Sequence, residues 1–91
     1  MDVKTLQNAL NKENIIVLFY ADWCGGCKVA RPRVKKIADR LNFKLIEINE
    51  DQSLEEAFEV DYYPHVILSH KGKIKHYPGL YTINELYESL I

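Results

Sequence analysis

Ile15-Ile16-Val17-Leu18-Phe19-Tyr20-Ala21-Asp22-Trp23-Cys24-Gly25-Gly26-Cys27-Lys28 is the stretch on which the fold turns. Its first six residues are β-branched, apolar and aromatic, long enough for a buried strand and far too short for a membrane span. After Ala21-Asp22-Trp23 the spacing changes, and Ala30, Val34, Ile37, Ala38 and Leu41 fall at helical intervals. A strand therefore runs directly into a helix, and the two cysteines lie at the junction. Cys24 is placed at or just before the helix N-terminus, where unpaired N–H groups and the helix dipole favour an anion. A thiolate is such an anion, which points to Cys24 as a nucleophile. Cys27, one turn later, returns beside it, so the pair can close an intramolecular disulfide with little backbone movement. This is a redox arrangement.

Working outward, Leu6, Ala9 and Leu10 give residues 2 to 12 a weak helical stripe with Asp2 as N-cap. Strand one is residues 15 to 20, and the helix carrying the cysteines runs from about residue 24 to 41. Pro32 lies inside that helix and must delete one backbone bond. Phe43 to Ile48 reads as a second strand, making a βαβ unit with parallel strands and a right-handed crossover. Ser53-Leu54-Glu55-Glu56 has capping-box form and opens a short helix through about Phe58. Val66 to His70 and Lys73 to Tyr77 flank a Lys71-Gly72 hairpin loop. Thr82-Ile83-Asn84-Glu85 is a second capping box, opening a last helix with Ile83, Leu86, Tyr87 and Leu90 as its apolar side. The predicted order is α-β-α-β-α-β-β-α, without repeats or linkers.

Size and composition narrow the field. The 91 residues suffice for one domain, residues 1 to 91, with a two-sided sheet. At 47% hydrophobic and 27% charged, the composition is that of an ordinary globular protein. A net charge of -1 leaves no global footprint for nucleic acid or an anionic membrane. Residues 1 to 7 lack the apolar core of a signal peptide, so a cytoplasmic location is expected. In a reducing compartment a cysteine pair is more often catalytic than structural. A zinc or iron–sulfur site needs about four ligands. The chain has 2 cysteines, and His65 and His70 lie an odd number of residues apart on one strand, hence on opposite faces. No metal is expected.

Trp23-Cys24-Gly25-Gly26-Cys27-Lys28 resembles the W-C-G-P-C-K active site of thioredoxins. The resemblance extends over residues 13 to 90 in the family's order: Phe19-Tyr20-Ala21 at the strand end, Pro32 in the helix, Tyr63-Pro64 before a strand, Lys71-Gly72-Lys73 at a hairpin, and Gly79 before the last helix. It implies an α/β thioredoxin fold with a central mixed sheet flanked by helices. Thioredoxins usually begin with an extra strand, and this chain has no apolar run to supply one, so a sheet of four strands is expected.

The resemblance also implies roles. Cys24, nearer the helix start, would attack a substrate disulfide, and Cys27 would resolve the mixed disulfide, cycling through a redox-active Cys24–Cys27 bond. Tyr63–Pro64 would be a cis bond facing the cysteines and leaving backbone free to pair with substrate. Trp23, Gly25, Gly26, Tyr63, Pro64, Gly79 and Leu80 would form the substrate groove. No bound organic cofactor is implied. Electrons would come from a separate reductase, a flavoenzyme of the thioredoxin reductase type or a glutaredoxin-like system, and the substrates would be disulfide-containing proteins met by a monomer.

Two departures stand out. Gly26 replaces the family's proline, which loosens the turn and adds an N–H that can point toward the sulfurs, pushing the couple in the oxidising direction. An oxidase or isomerase, or a binding subunit without turnover, therefore stays beside the reductase reading. The second departure is Leu18, which stands where thioredoxins carry a buried aspartate. On the neighbouring strand Glu47 shares a face with Phe43 and Leu45, so it is expected to be partly buried and to take the Cys27 proton. Lys28, Arg31, Arg33, Lys35, Lys36 and Arg40 make the cysteine-bearing helix basic, which reads as a solvated face. His65, His70 and His76 read as ordinary strand residues, with His65 nearest the chemistry.

Overall fold

The computed structural model describes residues 1 to 90. In chain order the elements are α1 (Val3–Lys12), β1 (Ile15–Tyr20), α2 (Gly25–Leu41), β2 (Lys44–Asn49), α3 (Gln52–Ala57), β3 (His65–His70), β4 (Lys73–Pro78) and α4 (Gly79–Leu90). The strands form a 4-stranded sheet in the order β2-β1-β3-β4. β1 runs parallel to β2 and antiparallel to β3, and β3 pairs antiparallel with β4. This is the four-stranded mixed α/β sheet expected from the sequence, without an additional first strand among the described residues.

The apolar run of β1 makes it central and covered on both faces, as a strand without polar alternation must be. Ile15, Val17 and Phe19 point to one face and pack with Leu6, Leu10, Leu54, Val60 and Ile67. Ile16 and Leu18 point to the other and pack with Ala30, Val34, Ile37, Val66 and Ile83. Thus α1 and α3 cover one face, and α2 and α4 the other. Each fully buried Leu, Ile or Phe contributes about 1.5–3 kcal/mol of transfer free energy, which locks the register of β1.

Helix ends follow local chemistry. Asp2 caps α1, its Oδ1 accepting from the Thr5 N–H at 2.8 Å. α2 ends at Asn42 in the left-handed region, φ 60, whose N–H returns to Ala38 and Asp39 carbonyls. Pro32 sits within α2 at an exposed position, so its missing N–H does not leave a buried group unpaired.

Several boundaries differ from the sequence reading. α3 is capped by Asp51, whose Oδ1 accepts from the Leu54 N–H at 3.1 Å, and Ser53 lies inside the helix. A carboxylate two residues earlier wins the cap over the serine hydroxyl. α4 starts at Gly79 and not at Thr82. The Thr82 hydroxyl donates backward to the carbonyls of Pro78 (2.7 Å) and Gly79 (3.1 Å), which is the bonding of a first-turn residue and not of a cap. β2 begins one residue later than expected, β3 one earlier, and β4 continues through Pro78. Proline is tolerated there because β4 is an edge strand.

Candidate active site

The site lies where β1 ends and α2 begins. Cys24 is the N-cap of α2, with extended backbone (φ -87, ψ 113). Its Sγ accepts the Cys27 N–H at 3.2 Å, the bond a serine or aspartate cap would make through oxygen. Both cysteines are free thiols. Cys24 is 8% exposed and Cys27 1%, so the outer sulfur alone touches solvent appreciably. Together with Ala21 they form a small cluster against which Tyr20 and Tyr63 pack.

Burial pushes the Cys27 thiol up to about 11, with hydrogen bonding to Cys24 as the next cause, while the Arg31 charge acts in the opposite sense. Cys27 is therefore held protonated at neutral pH in the dithiol state. The N–H that reaches Cys24 Sγ belongs to Cys27, and not to Gly26 as the sequence alone allowed.

Opposite α2, the Tyr63–Pro64 peptide is cis. A Cβ added to Gly26 would stand 3.6 Å from Pro64 Cδ and 3.9 Å from Leu80 Cδ2, ordinary contact distances. Gly26, Pro64 and Leu80 thus converge. Gly79, with φ +81, lies against the Tyr62 ring, and its N–H donates to the Pro64 carbonyl at 2.8 Å. That positive φ is the conformation glycine adopts without strain, and it lets the chain turn from β4 into α4 beside Pro64. Gly25 is exposed with open space around it.

Trp23 is 72% exposed. Its indole N–H donates to Glu50 Oε1 at 2.8 Å, and its ring meets Tyr63 edge-on at 5.7 Å between centroids. The Tyr63 hydroxyl donates to Glu55, and burial followed by that bond pushes its pKa above the ordinary tyrosine value. Trp23, next to Cys24 in the chain, and Tyr62, against Gly79, both leave large aromatic surfaces exposed. Glu50 and Tyr62 escaped the sequence reading because neither belongs to a motif. Glu50 has a left-handed φ of 44 at the end of β2, which turns its side chain toward Trp23.

Glu47 is a correction. It lies on the face shared with Phe43 and Leu45, opposite Leu18 in the register, as expected. It is not buried. Its side chain is 34% exposed, and its Oε1 accepts from Arg31 Nε at 3.0 Å. The α2 helix that should have covered it offers arginine at that point, so a surface ion pair forms in place of a buried acid. The remaining basic residues of α2 are largely solvated, except that Arg33 bonds Asn84 at 2.6 Å and joins α2 to α4.

His65 is likewise more than an ordinary strand residue. It is 4% exposed, and its Nε2 lies 2.8 Å from Nδ1 of His76 across β3 and β4. Burial, then the neighbouring His76, pushes it down to about 4. His70 faces the opposite side of the sheet and stacks on Phe43. Among the described residues no three His, Cys, Asp or Glu side chains converge as a metal-holding group. No described helix is long and apolar enough to cross a membrane.

Comparison with known proteins is consistent with this geometry. The family model described as Thioredoxin matches residues 2–91. The chain is 29% identical over 69 residues to a thioredoxin of Mycoplasma pneumoniae, covering 72% of this chain and 68% of the relative. It is 37% identical over 65 residues to thioredoxin 1 of Chlorobaculum tepidum, covering 67% and 64%. It is also 32% identical over 83 residues to human protein disulfide-isomerase A4, covering 84% of this chain but spanning only 13% of that protein. Among solved structures, mitochondrial thioredoxin 3 of Saccharomyces cerevisiae superposes with a TM-score of 0.79 at 21% identity, covering 98% of this chain and 88% of the other. A thioredoxin of Trypanosoma brucei brucei gives 0.78 at 23% identity, with 98% and 82% covered.

Proposed function

The chain belongs to the thioredoxin family, and from that premise we propose that it reduces protein disulfides through its Cys24–Cys27 dithiol. The observation that carries the reading is the Cys24 cap: one sulfur at the mouth of α2 bonded by the Cys27 N–H, the other buried one turn in. The Cys24 thiolate attacks one sulfur of a substrate disulfide, and the other substrate sulfur leaves as a thiolate that takes a proton from water. Cys27 then gives its proton to water and attacks Cys24 Sγ as the thiolate. The Cys24–Cys27 bond forms, the mixed disulfide breaks, and the second substrate sulfur departs. The dithiol has been oxidised by two electrons and the substrate disulfide reduced by two.

The groove formed by Gly26, Pro64, Gly79 and Leu80, with Gly25, Tyr63 and the exposed Trp23 at its rim, is where a substrate strand would lie. A separate reductase of the flavoenzyme or glutaredoxin-like type would return electrons. We place this cycle in the cytoplasm, where the dithiol would be kept reduced, with the protein acting as a monomer. A second reading, disulfide isomerisation, draws on Gly26 in the motif and on the likeness to the isomerase A4 proteins.

Insulin reduction driven by dithiothreitol tests catalysis. The native chain should accelerate precipitation of the insulin B chain, and Cys24→Ser should not. Equal rates for the two would overturn a redox function. Titration of the couple against glutathione then separates the directions: a potential near that of reducing thioredoxins supports reduction, and one close to the isomerases supports the second reading.

A further inference from the structure

Cys27 needs help that this chain does not provide in the form of a buried acid. Leu18, behind it on β1, is fully buried and apolar. Glu47 opposite Leu18 faces outward into an ion pair. A buried thiol that must become a thiolate within a catalytic cycle has two sources of assistance, a base to take the proton or a positive charge to favour the anion.

The structure offers the second. Arg31 follows Cys27 by one helical turn on α2, so the two side chains leave the helix on the same side. The Arg31 guanidinium carbon lies 4.2 Å from the centroid of the Tyr20 ring. Tyr20 itself packs on the Ala21, Cys24 and Cys27 cluster. Glu47 fixes the other side of the guanidinium at 3.0 Å. A long flexible side chain is thus held in one place by a carboxylate beside it and a ring below, and that ring packs on the sulfur pair. Guanidinium stays charged at every pH the protein meets, and its planar face suits stacking in a way an ammonium does not.

We propose that Arg31, laid over Tyr20 and tethered by Glu47, supplies the positive charge that favours the Cys27 thiolate in the resolving step, with Glu47 as its positioning residue and not a proton acceptor. Other groups act on the same sulfur. Cys24 on α2 opposes its ionisation, the Ala21 backbone hydrogen bond favours it, and Tyr63 ahead of β3 packs on the same cluster. Asp22, Glu47 and Tyr20 surround Arg31. Arg31 is the one cation in this set. With a side chain 43% exposed, its influence is screened and salt-dependent, so the expected effect is modest, about three- to tenfold in rate.

The inference rests on Cys27 being the resolving thiol. Reaction of the reduced protein with 5,5′-dithiobis(2-nitrobenzoate) reads both steps. One thionitrobenzoate is released when Cys24 forms the mixed disulfide, and a second when Cys27 attacks. Arg31→Met should slow the second release about three- to tenfold near neutral pH and at low salt, and move its pH midpoint upward, with the difference shrinking at high salt. Arg31→Lys should recover part of the rate. Glu47→Ala is the discriminating variant. Removing a negative charge by itself would favour the thiolate and lower the midpoint, whereas releasing Arg31 raises it. A midpoint that rises in both Arg31→Met and Glu47→Ala supports the proposal. A midpoint that falls or stays fixed in Glu47→Ala overturns the positioning role. A slow second release in Glu47→Ala with a normal one in Arg31→Met would restore Glu47 as the base and overturn the proposal. Persistence of the second release in Cys27→Ser would overturn the role of Cys27 itself, an outcome distinct from any seen with Arg31. Both substituted side chains are at the surface, so circular dichroism and melting temperature should match the native chain within a few degrees.

Discussion

The backbone N–H of Cys27 donates to the sulfur of Cys24 at 3.2 Å, so the cap of α2 and the redox pair are one structure. The bond holds the outer sulfur at the helix start and turns the inner one into the protein, where it is 1% exposed.

The first consequence is selective alkylation. Cys24 reaches solvent, and burial pushes the Cys27 thiol up to about 11, leaving it protonated and shielded near neutral pH. Brief iodoacetamide treatment of the reduced protein followed by peptide mapping should find the label on Cys24. Predominant labelling of Cys27 would reverse the two roles.

Gly26→Pro should make the couple more reducing. The added Cβ has room, since at Gly26 it meets Pro64 and Leu80 at 3.6 Å and beyond. The proline stiffens the first turn of α2 and removes entropy from the looser dithiol state. The sulfur's own donor, the Cys27 N–H, is untouched. A shift of about 30 mV corresponds to 1.4 kcal/mol, and glutathione titration should detect a change of that order or somewhat less. A more oxidising variant would show that turn stiffness does not control the couple.

Trp23 is the single tryptophan of the chain, which makes its bond to Glu50 directly observable. Glu50→Ala should change the indole emission while lowering stability by less than about 1 kcal/mol, because the pair is at the surface. An unchanged spectrum would mean that the indole is held by Tyr63 alone.

His65 sets a pH dependence of stability. Its folded value, about 4, is below the ordinary histidine value of 6.5, because burial beside His76 favours the neutral ring. The unfolded chain therefore binds more protons between these values. Stability is fully present above about pH 6.5 and is lost as pH falls toward 4, by on the order of 2–3 kcal/mol. For a domain of this size that is a fall in melting temperature of roughly 10 °C or more between pH 7 and 4.5. His65→Phe should flatten the curve over that window. A variant as pH-sensitive as the native chain would place the effect elsewhere.

The apolar run Ile15 to Tyr20 and the period of Ala30, Val34 and Ile37 determined by themselves a central strand followed by a covering helix, because only burial on both faces satisfies six consecutive apolar residues. The two cysteines at that junction, and so the candidate redox pair, were equally legible, since a helix start is a local property of the chain. Caps were less so. Asp51 and Ser53 both offer an oxygen, and the winner depends on where β2 releases the chain. What no local pattern contained was the pairing of side chains across elements. Strand parity put Glu47 on the right face, but whether a carboxylate there is buried or exposed depends on which α2 side chain crosses over it. The His65–His76 contact needed the β3–β4 register, and the Trp23–Glu50 bond needed the turn after β2. Periodicity specifies which way a side chain points, and only the packed structure decides what it meets.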